Sequence, residues 1–238
     1  MATNELRFSR QQDMIRDPSG LSLLIIGAGG IGSNALHLAV STGFERITIV
    51  DPDFVAEENL APAYFSRLAL SLPKVEALDN DMYDRYGVMI NAIQSRLEDA
   101  DLLQQESFDI VIISTDTIES RQDIWTHFAK HLCHGLWIDA RMGGVLATVY
   151  AVEMDDPSAL ADYTEELSIS TNGTLPCGMK ATAPLTKGWI PGMIGTVLYN
   201  AANGAKPPYM QRCDMGMGIF IVQGDAPQLY NEETPDDE

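Results

Sequence analysis

LSLLIIGAGGIGSNALHLAVSTGFERITIVDPD, residues 21–53, reads as a buried strand, a glycine turn, a helix and a second strand that ends in an acid. The apolar run 23–26 has the length and β-branched content of a short buried strand. Gly27, Gly29 and Gly32 then follow with G-x-G-x-x-G spacing. Gly27 permits the tight turn, Gly29 lets backbone N–H groups come close to a phosphate, and Gly32 lets helix and strand pack together. A helix over about 31–41 points its positive end at that phosphate. The next strand, 47–50, delivers Asp51, whose carboxylate is placed to accept hydrogen bonds from ribose hydroxyls. This order of elements indicates a nucleotide site without naming the nucleotide.

Working outward, strands are expected at 22–26, 46–50, 88–95, 108–113 and 136–138, with helices over 74–86, after Pro73, and 118–133. Residues 51–72 read as irregular, interrupted by Pro52 and Pro62. Alternating strands and helices imply a Rossmann-like, doubly wound, mostly parallel α/β sheet. The second half changes character. Residues 145–152 read as a long antiparallel strand and 155–187 as an irregular polar stretch. A helix over 189–202 and a last strand over 218–222 follow. The expectation is one domain over 1–230 with an antiparallel C-terminal extension, then an acidic, disordered tail at 231–238.

The bulk numbers exclude several classes. At 45% hydrophobic residues the chain is globular. No apolar run approaches the roughly 20 residues of a membrane span, and the polar N-terminus lacks a signal-peptide core, so no membrane association and a cytoplasmic location are expected. A net charge of −19 disfavours nucleic acid as a partner. The three cysteines, Cys133, Cys177 and Cys213, contain no C-x-x-C pair, which argues against structural zinc and a disulfide framework. Cys133 reads as helical. His37, His127, His131 and His134 read as structural, and Met210, Met215 and Met217, in a glycine-containing stretch before the last strand, as core rather than as a soft partner-binding surface.

Taken together, LRFSRQ (6–11), GAGGIG (27–32), ITIVDPDFVAEENL (47–60), LPKVEAL (72–78), DIVIISTDTIESR (109–121) and LPCGMKATAPL…PGMIGTVLYNAANG (175–204) resemble, in order and spacing, the ThiF/MoeB/E1 superfamily. These are ATP-dependent enzymes that adenylate the C-terminus of ubiquitin-like proteins. The resemblance implies ATP and Mg²⁺ as cofactors. It further implies a ubiquitin-like or sulfur-carrier protein, or a peptide C-terminus, as partner, and a homodimer. The chain looks like a divergent member. The family's NLxRQ segment reads NLAPA here, with Pro62 and Ala63 in place of the Arg and Gln. Arg67, five residues on, is the nearest replacement cation. Thr117 stands where the family has Asn.

The resemblance assigns roles residue by residue. Gly27, Gly29, Gly30 and Gly32 hold the phosphates, Asp51 binds ribose, and Lys74 sets an ammonium on the phosphates. Asp116 holds Mg²⁺ through a carboxylate oxygen; the competing reading is a helix N-cap. Asp53 is a second polar contact or a turn residue, and Asn59 a phosphate ligand or a turn cap. Arg10 reaches the nucleotide of the neighbouring subunit or is a surface arginine. Cys177, with Lys180 nearby, is an acyl-accepting thiolate or an inert buried thiol. Arg121 is structural, pairing with a carboxylate near the site. Two rivals stand beside adenylation: a degenerate scaffold that binds nucleotide or a partner without chemistry, and an NAD-dependent oxidoreductase, which the glycine fingerprint and Asp51 alone would fit.

Overall fold

In a computed structural model, residues 8–11, 13–100, 107–170 and 184–224 are described, the last from its backbone alone at 184–186. The chain order is β1 (Ser22–Ile26), α1 (Gly32–Thr42), β2 (Arg46–Val50), α2 (Lys74–Tyr86), β3 (Asn91–Ile93), β4 (Phe108–Ile113), α3 (Ile118–His127), α4 (Ala129–Leu132), β5 (Cys133–Gly143), β6 (Leu146–Glu153), α5 (Pro157–Ser170), α6 (Pro184–Ala202), β7 (Met210–Asp214) and β8 (Ile219–Gln223). The strands form one sheet in the order β3-β2-β1-β4-β5-β6-β7-β8. The first four pairings in that order are parallel and the remaining three antiparallel. The Rossmann-like expectation with an antiparallel extension therefore holds.

Both faces of the central strands are buried, which is why they read as continuous apolar runs. Leu23, Ile25, Ile110 and Ile112 face a core completed by Ala35, Leu36 and Val40 of α1, Leu78 of α2 and Ile194 and Val197 of α6. Leu24, Ile26, Val111 and Ile113 face the other core, with Trp137 of β5, Ile124 of α3 and Tyr163 and Leu167 of α5. The period-2 alternation of a strand divides the chain between these two layers. Left-handed Gly43 (φ 114°) and Gly87 (φ 64°) close α1 and α2, as helix-terminating glycines do.

Several expectations are corrected. Residues 155–187 are not wholly irregular, since α5 occupies Pro157–Ser170. The helix expected over 118–133 breaks at Phe128, and Cys133 is the first residue of β5 rather than helical. The strand expected at 136–138 runs to 11 residues, because its carboxyl half pairs with β6 across a tight antiparallel turn. The strand expected at 88–95 shrinks to Asn91–Ile93, and the methionine stretch contains β7. Met210 is buried as expected, whereas Met217 is exposed. Cys177, Lys180 and the acidic tail lie outside the described residues.

Candidate nucleotide site

The sheet reverses winding direction between β1 and β4, and the glycine turn leaves β1 at that switch point. This is where open α/β sheets take ligands. Gly27 has φ 95°, and a Cβ there would lie 3.0 Å from Ser114 Oγ. A Cβ on Gly32 would come within 1.9 Å of the Gly27 carbonyl oxygen. Gly30 is closed in by Met142 and Pro62, at 2.8 Å and 3.3 Å from the same construction. Gly29 differs: a Cβ there meets nothing within 4 Å. Backbone conformation and packing demand glycine at 27 and 32, and at 30 only the end of the Met142 side chain would have to shift, whereas at 29 there is open space of the kind a phosphate occupies.

The neighbouring strand ends pin this turn. Ser114 Oγ donates to the carbonyls of Ile26 and Gly27, both at 3.0 Å. The buried Asp51 carboxylate accepts from Ala28 N–H through Oδ2 (2.7 Å) and from Asp53 N–H through Oδ1 (2.8 Å). Lys74, the first residue of α2, is also buried; its Nζ lies 2.9 Å from Asp53 Oδ2 and 3.7 Å from Asp51 Oδ1. Asp51, Asp53 and Lys74 are thus brought together beside the turn. Asn59 Oδ1 accepts from Ala56 N–H (2.9 Å) and so caps its own 3-10 turn.

Asp116 follows β4 and is exposed, and it has no hydrogen-bond or ion-pair partner among the described residues. The N-cap of α3 is Thr117, whose hydroxyl accepts from Ser120 N–H at 3.1 Å. The competing cap role for Asp116 is therefore filled by its neighbour. Next to it, Thr115 Oγ1 is buried without a hydrogen-bond partner among the described residues. An orphaned hydroxyl and an unengaged carboxylate at a strand end suit a polar ligand and a hard cation. A magnesium ion takes one or two protein carboxylates and completes its shell from phosphates and water. Asp116 beside an open phosphate cradle fits that donor set. Among the described residues no cluster of three or more His, Cys, Asp or Glu is poised to hold a metal by itself.

The loop bearing Asp116 rests on a buried polar centre that sequence reasoning only half anticipated. Arg121, 2% exposed, pairs through Nη1 with Asp139, which is fully buried, and its Nη2 donates to the carbonyls of Thr115 and Ala140. Arg141 Nε (2.7 Å) and Tyr163 OH (2.8 Å) donate to Asp139 Oδ2. Burial raises the Tyr163 phenol well above its usual range. The expected carboxylate partner of Arg121 is thus Asp139. Asp139 and Arg141, two apart in an apolar strand, carried a legible signal that they share a face. Tyr163 carries no such signal, because the polar stretch around it reads as irregular.

Two expected residues are not brought to the turn. Gln11 Nε2 donates to the carbonyls of Ser41 and Thr42, anchoring the segment that carries Arg10 at the far end of α1. Eleven helical residues span about 16 Å, so exposed Arg10 sits roughly one helix length from its own glycine turn. Arg67 projects into solvent, its side chain 80% exposed and 3.5 Å from Glu57, and does not replace the missing motif arginine. Cys133 and Cys213 are buried, and burial raises both thiols, Cys133 to about 12. Neither is a nucleophile at neutral pH.

Among curated proteins, the chain is 32% identical over 115 residues to the NEDD8-activating enzyme E1 catalytic subunit of Arabidopsis thaliana, covering 48% of this chain and 25% of that protein. It is 34% identical over 105 residues to the adenylyltransferase and sulfurtransferase MOCS3 of Aedes aegypti (42% and 24%). It is 30% identical over 160 residues to the SUMO-activating enzyme subunit 2 of Dictyostelium discoideum (65% and 21%). The chain spans about a quarter or less of the length of these relatives. Among solved structures, E. coli MccB with ATP superposes with a TM-score of 0.68 at 15% identity, covering 92% of this chain and 71% of that one. MccB with AMPCPP and MccA gives 0.67 at 16%, covering 93% and 72%. Residues 6–215 match the ThiF family, and the chain belongs to that family, within the ThiF/MoeB/E1-like superfamily that its motifs resemble.

Proposed function

We propose that this chain is an ATP- and Mg²⁺-dependent adenylyltransferase, acting in the cytoplasm as a homodimer on the C-terminal carboxylate of a ubiquitin-like protein, a sulfur-carrier protein or a peptide. Asp116 carries the reading: an exposed carboxylate at the switch point, relieved of capping by Thr117 and two residues beyond Ser114, which bonds the glycine turn. The names of the relatives support the class, among them two activating enzymes and an adenylyltransferase.

In the proposed reaction a carboxylate oxygen of the partner attacks the α-phosphorus of ATP, the bond to the β-phosphate breaks, and pyrophosphate leaves with the displaced electron pair. Metaphosphate-like charge develops with little covalent work for the protein, so positioning and neutralisation carry the catalysis. Magnesium, when bound at Asp116, neutralises phosphate charge. The N–H groups of the glycine turn hold the phosphates. Asp51 and Asp53, oriented by Ala28 and Lys74, face the ribose, and Lys74 keeps one of its three N–H donors for a phosphate oxygen. Arg10 serves the neighbouring subunit, since it stands a helix length from its own turn. Cys177 is the thiol proposed to accept the acyl group as a thioester, with AMP departing.

The test is thermal unfolding of the purified protein with Mg·ATP, with ATP and EDTA, and with NAD, for wild type and Asp116→Ala. Ligand at 100 times Kd stabilises by about 2.7 kcal/mol. Stabilisation by Mg·ATP that Asp116→Ala loses is the expected outcome. A response to NAD alone, or to neither nucleotide, overturns the reading. A second reading rests on Pro62 and Ala63, which remove the motif cation from the turn. Under it the chain binds nucleotide without chemistry, and ATP binding without pyrophosphate exchange in the presence of its carboxylate partner would establish it.

A further inference from the structure

We propose that Lys187 is a phosphate-binding residue of this site, its ammonium supplying uncompensated positive charge to the β- and γ-phosphates at the glycine turn. The inference rests on the nucleotide reading above and adds a residue that lies outside the motifs.

Position comes first. Lys187 Nζ donates to the carbonyls of Ala61 (3.0 Å) and Ala63 (3.1 Å). Between them Pro62 packs on Gly30, and Asn34 Nδ2 donates both to Gly30 O (2.6 Å) and to Pro62 O (3.4 Å). Tyr64 N–H donates to Ser33 Oγ, which donates to Gly29 O. The segment 61–64 is therefore strapped to the glycine turn, and the ammonium is fixed on that strap.

Charge comes second. Lys74 lies between Asp51 and Asp53 and is already compensated. Lys187 has no carboxylate within ion-pair distance among the described residues; its partners are two neutral carbonyls and the Tyr64 ring, 5.9 Å away. An ammonium has three donors, and two are used. Lys187 also sits in the first turn of α6, where the helix dipole disfavours a cation and no acid offsets it. A half-buried lysine held at such a place, on the strap of an anion cradle, is explained by an anion that comes and goes. It supplies the charge that Pro62 cannot.

The experiment measures dissociation constants for Mg·ATP and for AMP by calorimetry on wild type, Lys187→Met and Lys187→Arg, with ligand-free melting temperatures alongside. Lys187→Met is expected to weaken Mg·ATP about tenfold or more, the worth of one charge-assisted hydrogen bond, and to leave AMP within about twofold. Lys187→Arg restores most of the Mg·ATP affinity. Equal loss of ATP and AMP affinity, or no loss of either, overturns the inference while the nucleotide reading stands. A wild type that binds no Mg·ATP overturns both. If Lys187→Met does not fold, Lys187→Gln takes its place, with the ATP-to-AMP affinity ratio as the readout.

Discussion

Gly29 and Gly32 stand three residues apart, and the fold needs only one of them. Gly32→Ala drives a methyl into the Gly27 carbonyl at 1.9 Å; a loss of at least about 3 kcal/mol, or failure to fold, is expected in urea unfolding. Gly29→Ala meets open space, so stability is expected to stay within about 0.5 kcal/mol while Mg·ATP affinity falls. A Gly29→Ala protein that binds nucleotide as wild type does would remove the cradle from the account. Arg121→Met leaves Asp139 one cation short and the Thr115 and Ala140 carbonyls unpaired. A loss of about 3 kcal/mol is expected, read from the same urea curves. At this scale much was legible, because glycines and acids at strand ends announce themselves by type and spacing. The Arg121–Asp139–Arg141–Tyr163 centre is legible only in part, since its members come from three elements. Lys187 was invisible for a related reason: its partners are carbonyls, which carry no sequence identity.

At the scale of elements, β1, β2, α2 and β4 were read to within a residue, because each is a short run bounded by glycine, proline or a polar switch. Helix α5 was lost although its signal was present. Asp156 Oδ1 accepts from the N–H groups of Ser158 (2.9 Å) and Ala159 (3.2 Å), with Pro157 as first helical residue, an N-cap followed by proline at N1. Read in isolation, Asp-Pro looks like a turn. The short buried spacing of Tyr163, Leu167 and Ser170 then becomes a helix face. Between α1 and α2, His37 lies 2.9 Å from Asp81, stacks on Tyr64 at 3.7 Å and approaches the edge of Tyr86, with Arg85 bonded to the same Asp81. Burial, aided by Arg85 and opposed by Asp81, lowers the imidazole from 6.5 to about 4. The unfolded chain takes up this proton near pH 6.5 and the folded one only near pH 4, so stability falls as pH drops through that window. In His37→Gln the loss between pH 6.5 and 4 is expected to be shallower than in wild type, by at most about 3 kcal/mol. Parallel slopes in pH-dependent urea unfolding would show that His37 takes up its proton in the fold as readily as outside it.

For the whole molecule, the distance of Arg10 from its own turn makes a dimer testable by mixing. If the arginine acts across the interface, Arg10→Ala and Asp116→Ala proteins are each inactive, yet their mixed dimers contain one intact site. Pyrophosphate exchange should return to roughly a quarter of wild type on co-refolding; no recovery would assign Arg10 to its own subunit's site, and an Arg10→Ala protein active by itself would place it on a plain surface. The other end of the sheet has a different consequence. Strand β8 closes the sheet order with Ile219, Phe220, Ile221 and Val222 all exposed, between 42% and 52%, an apolar edge of the kind that templates strand addition. What opposes this is long-range repulsion from a chain with 34 acids against 15 bases. That repulsion reaches about 10 Å at 0.1 M salt and about 3 Å at 1 M. The molecule should therefore be a colloid held apart by its own charge, dispersed in dilute buffer and clustering as sodium chloride is raised. Ile221→Lys should move the onset of light scattering to higher salt.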